Sequence, residues 1–229
     1  MSMPYYVSPE QIIADKAEFA RKGIARGRSV IVASAQDAVY MVADNPSRAL
    51  HKLGEIYDRI GFAAVGKYNE FENLRVAGVR LADTRGYSYD RADVTVRTVA
   101  NAYAQTLGSI FIEASKPFEV EIAVAQVGQT CQEDQLYRIS FDGSVHDEAG
   151  FICMGGDSES VASHMLQNWT VGGTAAQTLT AAISALFPTG EKDLDSIEVA
   201  RLDRVGSGRR LRRLTTTTSP SFSGNTHGS

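Results

Sequence analysis

The order of apolar and polar positions predicts blocks of strands separated by pairs of helices, with one helix ahead of them. Apolar residues three and four apart predict helices, and short apolar runs rich in β-branched residues predict strands. The predicted helices cover residues 9–22, 69–81, 96–111, 157–168 and 174–187. The predicted strands cover residues 29–35, 38–43, 61–66, 118–127, 136–141, 151–154, 196–204 and 209–214. The first two strands are separated by two polar residues, which predicts a hairpin.

The first helix has clear boundary signals. Ser8 is a favourable N-cap, Pro9 suits the first turn, and Gln11 predicts a capping box with Ser8. Gly23 predicts that the helix ends at residue 22. A short, partly aromatic segment, residues 1–8, therefore precedes a sharply started helix.

Paired helices between strand blocks predict the fold class. A sheet needs its apolar faces covered, so this order predicts an α+β fold with two stacked sheets and a helical layer on each outer side. Residues 9–214 form this predicted domain. Residues 215–229 are rich in Thr, Ser and Gly without periodicity, and we expect them to be disordered.

Composition narrows the function classes. The chain has 229 residues, 43% of them hydrophobic and 22% charged, with a net charge of −4, which suits one domain with an ample core and argues against nucleic-acid binding. No apolar run approaches the ~20 residues of a membrane span, and the N-terminus lacks the pattern of a signal peptide. Cys131 and Cys153 make no disulfide framework, so we expect the cytoplasm. The histidines lack ligand spacing, so we expect no metal and no cofactor.

Several strings together resemble the proteasome α-subunits of actinobacteria. They are SPEQ (8–11), EFARKGIARGRSV (18–30), VADNPSRALHKLGEIYDRIGFAAVGKYNEF (42–71), DTRGYSYDR (83–91), YAQTLGSIFIEASKPFEVE (103–121), LYRISFDGS (136–144) and MGG (154–156). The resemblance covers residues 1–205. It implies the four-layer αββα sandwich of the N-terminal-nucleophile hydrolases, with an extra N-terminal helix.

That fold family invites a test for catalysis. Its active members need a free amino-terminal Thr, Ser or Cys at the start of the first strand. Aligning the catalytic pattern places the acid at Asp44, the lysine at Lys52 and the nucleophile at Arg28, or at Ser29 with a one-residue slip. Arg28 has no hydroxyl, and the nitrogen of Ser29 is in a peptide bond. The resemblance therefore implies a non-catalytic subunit; the alternative is an active self-compartmentalising peptidase cleaved before Ser29.

The resemblance also implies roles for several segments. The implied gate at the pore of a heptameric ring consists of Met3, Pro4, Tyr5, Tyr6 and Val7. The implied pocket for the C-terminal carboxylate of an activator consists of Lys52, Glu18 and Gly66. The implied annulus inside the gate consists of Lys116, Pro117 and Phe118. The implied subunit contacts are Asp83, Arg85, Asp90 and Arg91.

The implied partners follow from the same resemblance. They are catalytic proteasome β-subunits, further copies of the chain itself, and an AAA ATPase or ATP-independent activator that docks by its C-terminus. Pupylated protein substrates, which carry a small ubiquitin-like protein tag, would pass through the pore. RRLRR (209–213) is the one basic cluster, and a strand with a solvated arginine face accounts for it better than nucleic-acid contact.

Overall fold

The computed structural model describes residues 8–188, 196–206 and 208–214. The helices are α1 (Pro9–Ala25), α2 (Tyr68–Ser88), α3 (Val96–Glu113), α4 (Ser158–Asn168) and α5 (Ala175–Leu186). The strands are β1 (Val30–Ser34), β2 (Ala38–Asp44), β3 (Leu53–Tyr57), β4 (Ile60–Gly66), β5 (Val120–Gln126), β6 (Gln135–Ile139), β7 (Val145–Glu148), β8 (Phe151–Met154), β9 (Ile197–Asp203) and β10 (Leu211–Leu214). The predicted gate residues 3–7 and the tail 215–229 lie outside the described residues.

Two antiparallel sheets form the centre of the fold. One sheet has the order β10-β9-β2-β1-β8, and the other has the order β3-β4-β5-β6-β7. Helices α4 and α5 pack on the first sheet, and α2 and α3 pack on the second. The predicted αββα sandwich is confirmed.

The core has three apolar layers because each sheet is covered on both faces. Every residue of β1 is buried, as expected for a strand with no solvent face. The layer between the sheets includes Val32, Met41 and Ala63, and Ala20 and Ile24 of α1 join it. Helix α1 therefore contributes these two buried residues to the layer between the sheets, while most of its other residues are exposed.

The structure corrects two predictions about α1. The helix continues past Gly23 to Ala25, because Gly23 is needed for packing and not for termination: a Cβ there would lie 2.3 Å from Oε1 of Glu119. The capping box is half formed. The Ser8 hydroxyl accepts a hydrogen bond from the Gln11 backbone nitrogen at 3.2 Å, but the Gln11 side chain donates to Asp15 at 2.7 Å.

Other elements depart from their predicted extent. Strands β3 and β7 lie in stretches that the sequence pattern left without a strand, and α2 is longer than predicted, ending at Ser88. Both missed strands are edge strands, and β7 is mostly exposed, so their sequences lack the continuous apolar run of a central strand.

Candidate functional site

The position that corresponds to a catalytic nucleophile lies at the start of β1, directly after α1. Ser29 is joined by a peptide bond to Arg28, and its carbonyl accepts a hydrogen bond from the Asp44 nitrogen at 3.1 Å. Gly155 packs against it so closely that a Cβ on Gly155 would lie 2.8 Å from the Ser29 Cα. Ser29 is an internal residue without the free amine that serves as the base in this class of hydrolase.

The predicted acid and lysine do come together at this point, but they are engaged by the backbone and by an arginine. The Lys52 ammonium donates to the Arg28 carbonyl at 2.7 Å and to the Asp44 carbonyl at 3.0 Å. The Arg28 guanidinium holds both carboxylate oxygens of Asp44, at 3.0 and 3.1 Å. The side chains that would assist a nucleophile are thus used to tie the α1–β1 turn to the end of β2.

The surroundings of Lys52 lower the pKa of its ammonium. Burial is the largest cause and brings the pKa to about 8, with the nearby Arg28 charge acting in the same direction. The carboxylates of Asp44 and Glu198 oppose the shift. Because a pKa of about 8 still lies above neutral pH, the site holds a partly desolvated ammonium that is mostly charged at pH 7.

Glu198 organises the segment that carries Lys52, and sequence reasoning missed it. Its carboxylate accepts hydrogen bonds from the Lys52 backbone nitrogen at 3.0 Å and from the Asn45 side chain at 2.8 Å. It also pairs with His51 at 3.2 Å and with Arg213. Glu198 lies 146 positions after Lys52 in the sequence, so no local sequence pattern could have revealed this contact.

Gly66 lies close to the turn that Lys52 holds. A Cβ on Gly27, the residue before Arg28, would come within 3.3 Å of the Gly66 nitrogen. Gly66 has φ +110°, and a Cβ there would lie 1.9 Å from the Glu119 carbonyl oxygen. The chain itself therefore requires glycine at this position, independently of any incoming ligand.

Glu18, the third predicted pocket residue, lies on the exposed face of α1. Its carboxylate pairs with Lys22 at 2.6 Å, and the hydrogen bond from Lys22 lowers its pKa. Both side chains are largely exposed. The structure thus brings Lys52 and Gly66 to one turn, while Glu18 makes its described contact within its own helix.

The three predicted annulus residues differ in exposure. Lys116 is exposed, pairs with Glu119 at 2.9 Å and lies 5.5 Å from the Phe19 ring centroid. Pro117 is buried, and Phe118 is half-buried against the core layer beneath α2 and α3. In this chain Lys116 is the member that presents its side chain to solvent.

The predicted subunit-contact residues are exposed around the end of α2. Arg91 forms a bidentate pair with Asp58 inside the chain, with contacts of 2.6 and 2.7 Å, and Asp90 accepts a hydrogen bond from the Ala92 nitrogen. Sequence reasoning missed Tyr87 and Tyr89, which lie between Arg85 and Asp90. Their side chains are 94% and 78% exposed. Asp83 and Arg85 are exposed on the last turns of α2.

The part of the chain that the structure describes has neither a metal-ligand cluster nor a membrane-spanning helix. Within them, no group of three or more His, Cys, Asp and Glu residues is placed to hold a metal ion. No helix in the same part of the chain combines the length and apolarity needed to cross a membrane.

Comparison with known proteins agrees with the fold and with the blocked position at Ser29. The family model described as Proteasome subunit matches residues 23–203. Proteasome subunit alpha of Kineococcus radiotolerans is 56% identical over 224 residues, covering 93% of this chain and 94% of the relative. The protein of the same name from Sanguibacter keddieii is 57% identical over 220 residues, covering 93% and 86%. That of Salinispora tropica is 56% identical over 222 residues, covering 94% and 85%.

The chain belongs to the proteasome subunit family. Within the family its similarity is to the α type, the non-catalytic component of a protein-degrading complex whose core also contains β-subunits. The expectation of a non-catalytic subunit is confirmed, and the active-peptidase alternative is not favoured.

Proposed function

We propose that the chain forms the outer heptameric ring of a cytoplasmic 20S proteasome core, gates its entry and docks a regulatory activator. The observation that carries the proposal is the internal position of Ser29 behind α1, which leaves the fold without the free amine that cleavage requires. Substrates in this proposal are pupylated proteins, unfolded by an AAA ATPase or admitted by an ATP-independent activator.

Substitution of Ser29 tests whether this chain contributes to catalysis in the assembled particle. Ser29→Ala in a particle co-expressed with a β-subunit is expected to leave the rate of peptide hydrolysis unchanged, because the hydroxyl has no base beside it. A fluorogenic peptide assay measures the rate. The matched control replaces the first residue of the mature β-subunit by alanine and should abolish hydrolysis. Loss of activity on Ser29→Ala would instead support the active-peptidase alternative.

The proposed activator pocket depends on the charge of Lys52. An ammonium beside two carbonyls and near Gly66 suits capture of a chain-terminal carboxylate, which forms a charge-assisted hydrogen bond with it. Lys52→Met removes the charge and keeps the length of the side chain. We expect it to weaken binding of an activator C-terminal peptide by about tenfold to hundredfold without blocking ring assembly.

Two comparisons make the Lys52 experiment specific. The amidated form of the peptide should bind weakly to wild type and to Lys52→Met. Arg80→Met, which removes an exposed arginine of α2, should bind the free-acid peptide normally. Since the pKa of Lys52 is about 8, wild-type affinity should fall about tenfold between pH 7 and pH 9, and Lys52→Met should lack this dependence. The charged groups facing Lys52 are Arg28, Asp44 and Glu198. Equal affinity of wild type and Lys52→Met at pH 7 would rule out the pocket role.

The proposed gate is the segment of residues 1–7. It is apolar and aromatic, and the Ser8 cap fixes the point at which it leaves α1. Deleting residues 2–7 while keeping Ser8 is expected to raise peptide hydrolysis by the assembled particle, because the segment that obstructs the pore is then gone. The intact segment can also open, since each copy of a plug this short buries little area. Deletion of residues 223–229 is the control and should have no effect. An unchanged rate in the first deletion would count against the gate.

A further inference from the structure

The C-terminal end of α3 lacks the usual means of satisfying its last carbonyls. The final carbonyls of a helix have no partner within it and form the negative end of its dipole, so a nearby cation or a left-handed glycine commonly satisfies them. Helix α3 has no basic residue in its last turn, and Ala114, which follows it, is extended with φ −77° and ψ 147°. The carbonyls at this end therefore need a donor from another part of the chain.

Lys16 of α1 supplies that donor. Its ammonium donates hydrogen bonds to the carbonyls of Ala114 at 2.7 Å, Phe111 at 3.1 Å and Ile112 at 3.2 Å. An ammonium has three N–H groups, so these contacts use its full donor capacity. The Lys16 side chain is half-buried, and it joins α1 to the end of a helix 95 to 98 positions later in the sequence.

Lys16 lies at the boundary between the exposed half and the packed half of α1. The two buried residues of the helix, Ala20 and Ile24, are in its second half. Residues 9–15 are all exposed, and the Gln11 side chain bonds within the helix. Among the described residues, Lys16 is thus the first along α1 whose side chain hydrogen-bonds to another element.

This position gives the Lys16 contact leverage over the start of α1. At 1.5 Å per residue, Ser8 lies about 12 Å from Lys16 along the helix axis, so a tilt of about 10° would move Ser8 by about 2 Å. A gap of about 0.5–1 Å already forfeits a quarter to a half of the attraction between packed atoms. The proposed gate, residues 1–7, leaves the helix at Ser8, so its placement depends on this tilt.

The carbonyls that Lys16 holds lead directly into the predicted annulus. Ala114 is two positions before Lys116, the annulus residue that is exposed to solvent. Lys116 in turn faces α1, at 5.5 Å from the ring centroid of Phe19. A groove of about 470 Å³ separates the helix, at Ile12, from residues 115–117. The first half of α1 therefore lacks close packing on this connection, and the Lys16 contacts set its distance from the annulus.

We propose that Lys16 is the positioning residue of the gate: by capping α3, its ammonium fixes the direction in which α1 presents residues 1–7 to the annulus. The inference rests on the gate proposed above. Because the capped carbonyls and the annulus belong to one connection, a single side chain sets the base of the gate relative to the constriction that the gate closes. Lys16 acts through the orientation of α1 and not by contact with substrate.

Replacement of Lys16 by methionine tests this role. Lys16→Met keeps the length of the side chain and removes all three donors, so the particle assembled with the β-subunit should hydrolyse a fluorogenic peptide at least about threefold faster than wild type when no activator is present. Lys16→Arg keeps a cation that can donate to several carbonyls and should restore the wild-type rate. Arg80→Met, on the exposed side of α2, is the control and should behave like wild type.

Removal of the gate separates positioning from a general loss of stability. In a particle that lacks residues 2–7, Lys16→Met should change the hydrolysis rate by less than about 1.5-fold, because no gate is left to misplace. Native mass spectrometry measures the assembled fraction, and rates are compared per assembled particle. A merely structural role of Lys16 would change the rate in both backgrounds.

A second variant covers the case in which Lys16→Met does not assemble. Lys16→Gln has a shorter, uncharged side chain with two N–H donors, which cannot serve all three carbonyls. It should hydrolyse the peptide faster than wild type in the full-length chain, and its effect should also disappear when residues 2–7 are absent.

The outcomes separate this inference from the gate itself. If deletion of residues 2–7 raises hydrolysis but Lys16→Met or Lys16→Gln leaves it at the wild-type rate, the positioning role is overturned and the gate stands. An equal increase in the particle without the gate, or failure of Lys16→Arg to restore the rate, would overturn it as well. If the deletion has no effect, the gate and the positioning role are both wrong.

Discussion

Replacing Arg204 by methionine is expected to lower the free energy of unfolding by about 3–5 kcal/mol. The Arg204 guanidinium is 5% exposed, and the Asp134 carboxylate it holds at 2.6 Å is 1% exposed. It also donates to the carbonyls of Ala35, Gly128 and Thr130. Methionine would leave a buried carboxylate without its counter-charge and would remove the donor to the Ala35 and Gly128 carbonyls, at the end where the β1–β2 and β5–β6 connections meet.

Chemical denaturation of the isolated chain measures this loss. Arg212→Met is the matched control, because its pair with Asp203 is formed by a largely exposed arginine and should cost less than about 1 kcal/mol. Adding Asp134→Leu to Arg204→Met should recover part of the stability, since the buried charge is then gone. A loss below about 1 kcal/mol for Arg204→Met would show that the pair is not a main tie between the connections.

Replacing Gly66 by alanine is also expected to have a large effect, lowering the free energy of unfolding by about 3 kcal/mol or more. With φ +110° and the Glu119 carbonyl 1.9 Å from the position of a Cβ, alanine would meet both backbone strain and a clash with an atom that cannot rotate away. The end of β4 and the start of β5 would have to separate, because Gly66 and Val120 are paired there.

Thermal unfolding of Gly66→Ala beside Gly108→Ala measures that cost. Gly108 lies within α3, and the nearest atom to a Cβ there is 3.6 Å away, so alanine should stabilise the helix by up to about 1 kcal/mol. A Gly66→Ala protein as stable as wild type would refute the steric argument. The expected instability also means that failed activator docking by a Gly66 variant is no test of the pocket; Lys52→Met is the informative change.

The hairpin of β1 and β2 could be predicted from sequence because both strands are buried on two faces and their apolar runs are unbroken. Strand β3 could not, since Gly54 and the partly exposed Glu55 interrupt the run. The sequence pattern ends α1 too early because glycine is a common stop signal for helices. In the structure, Gly23 instead leaves room for the side chain of Glu119, which directly precedes β5. Competition between local propensity and tertiary packing explains both differences.

Candidate site residues were predictable in identity but not in arrangement. Lys52 and Asp44 follow from the family pattern, yet nothing in that pattern shows that backbone carbonyls hold the Lys52 ammonium, and the carboxylate of Glu198 lies 146 positions away. The same limit applies to Arg204 and Asp134, which are 70 positions apart. Contacts over such separations carry no local sequence signal.

The burial of Ala20 and Ile24 between the sheets has a consequence for any zymogen-like activation. Cleavage of the peptide bond before Ser29 would also detach α1 and expose the apolar surface between the sheets that Ala20 and Ile24 cover. The product would gain a terminal amine while losing part of the packing that holds the two sheets in place. Proteolytic maturation at this point is therefore opposed by stability as well as by the chemistry of the peptide bond.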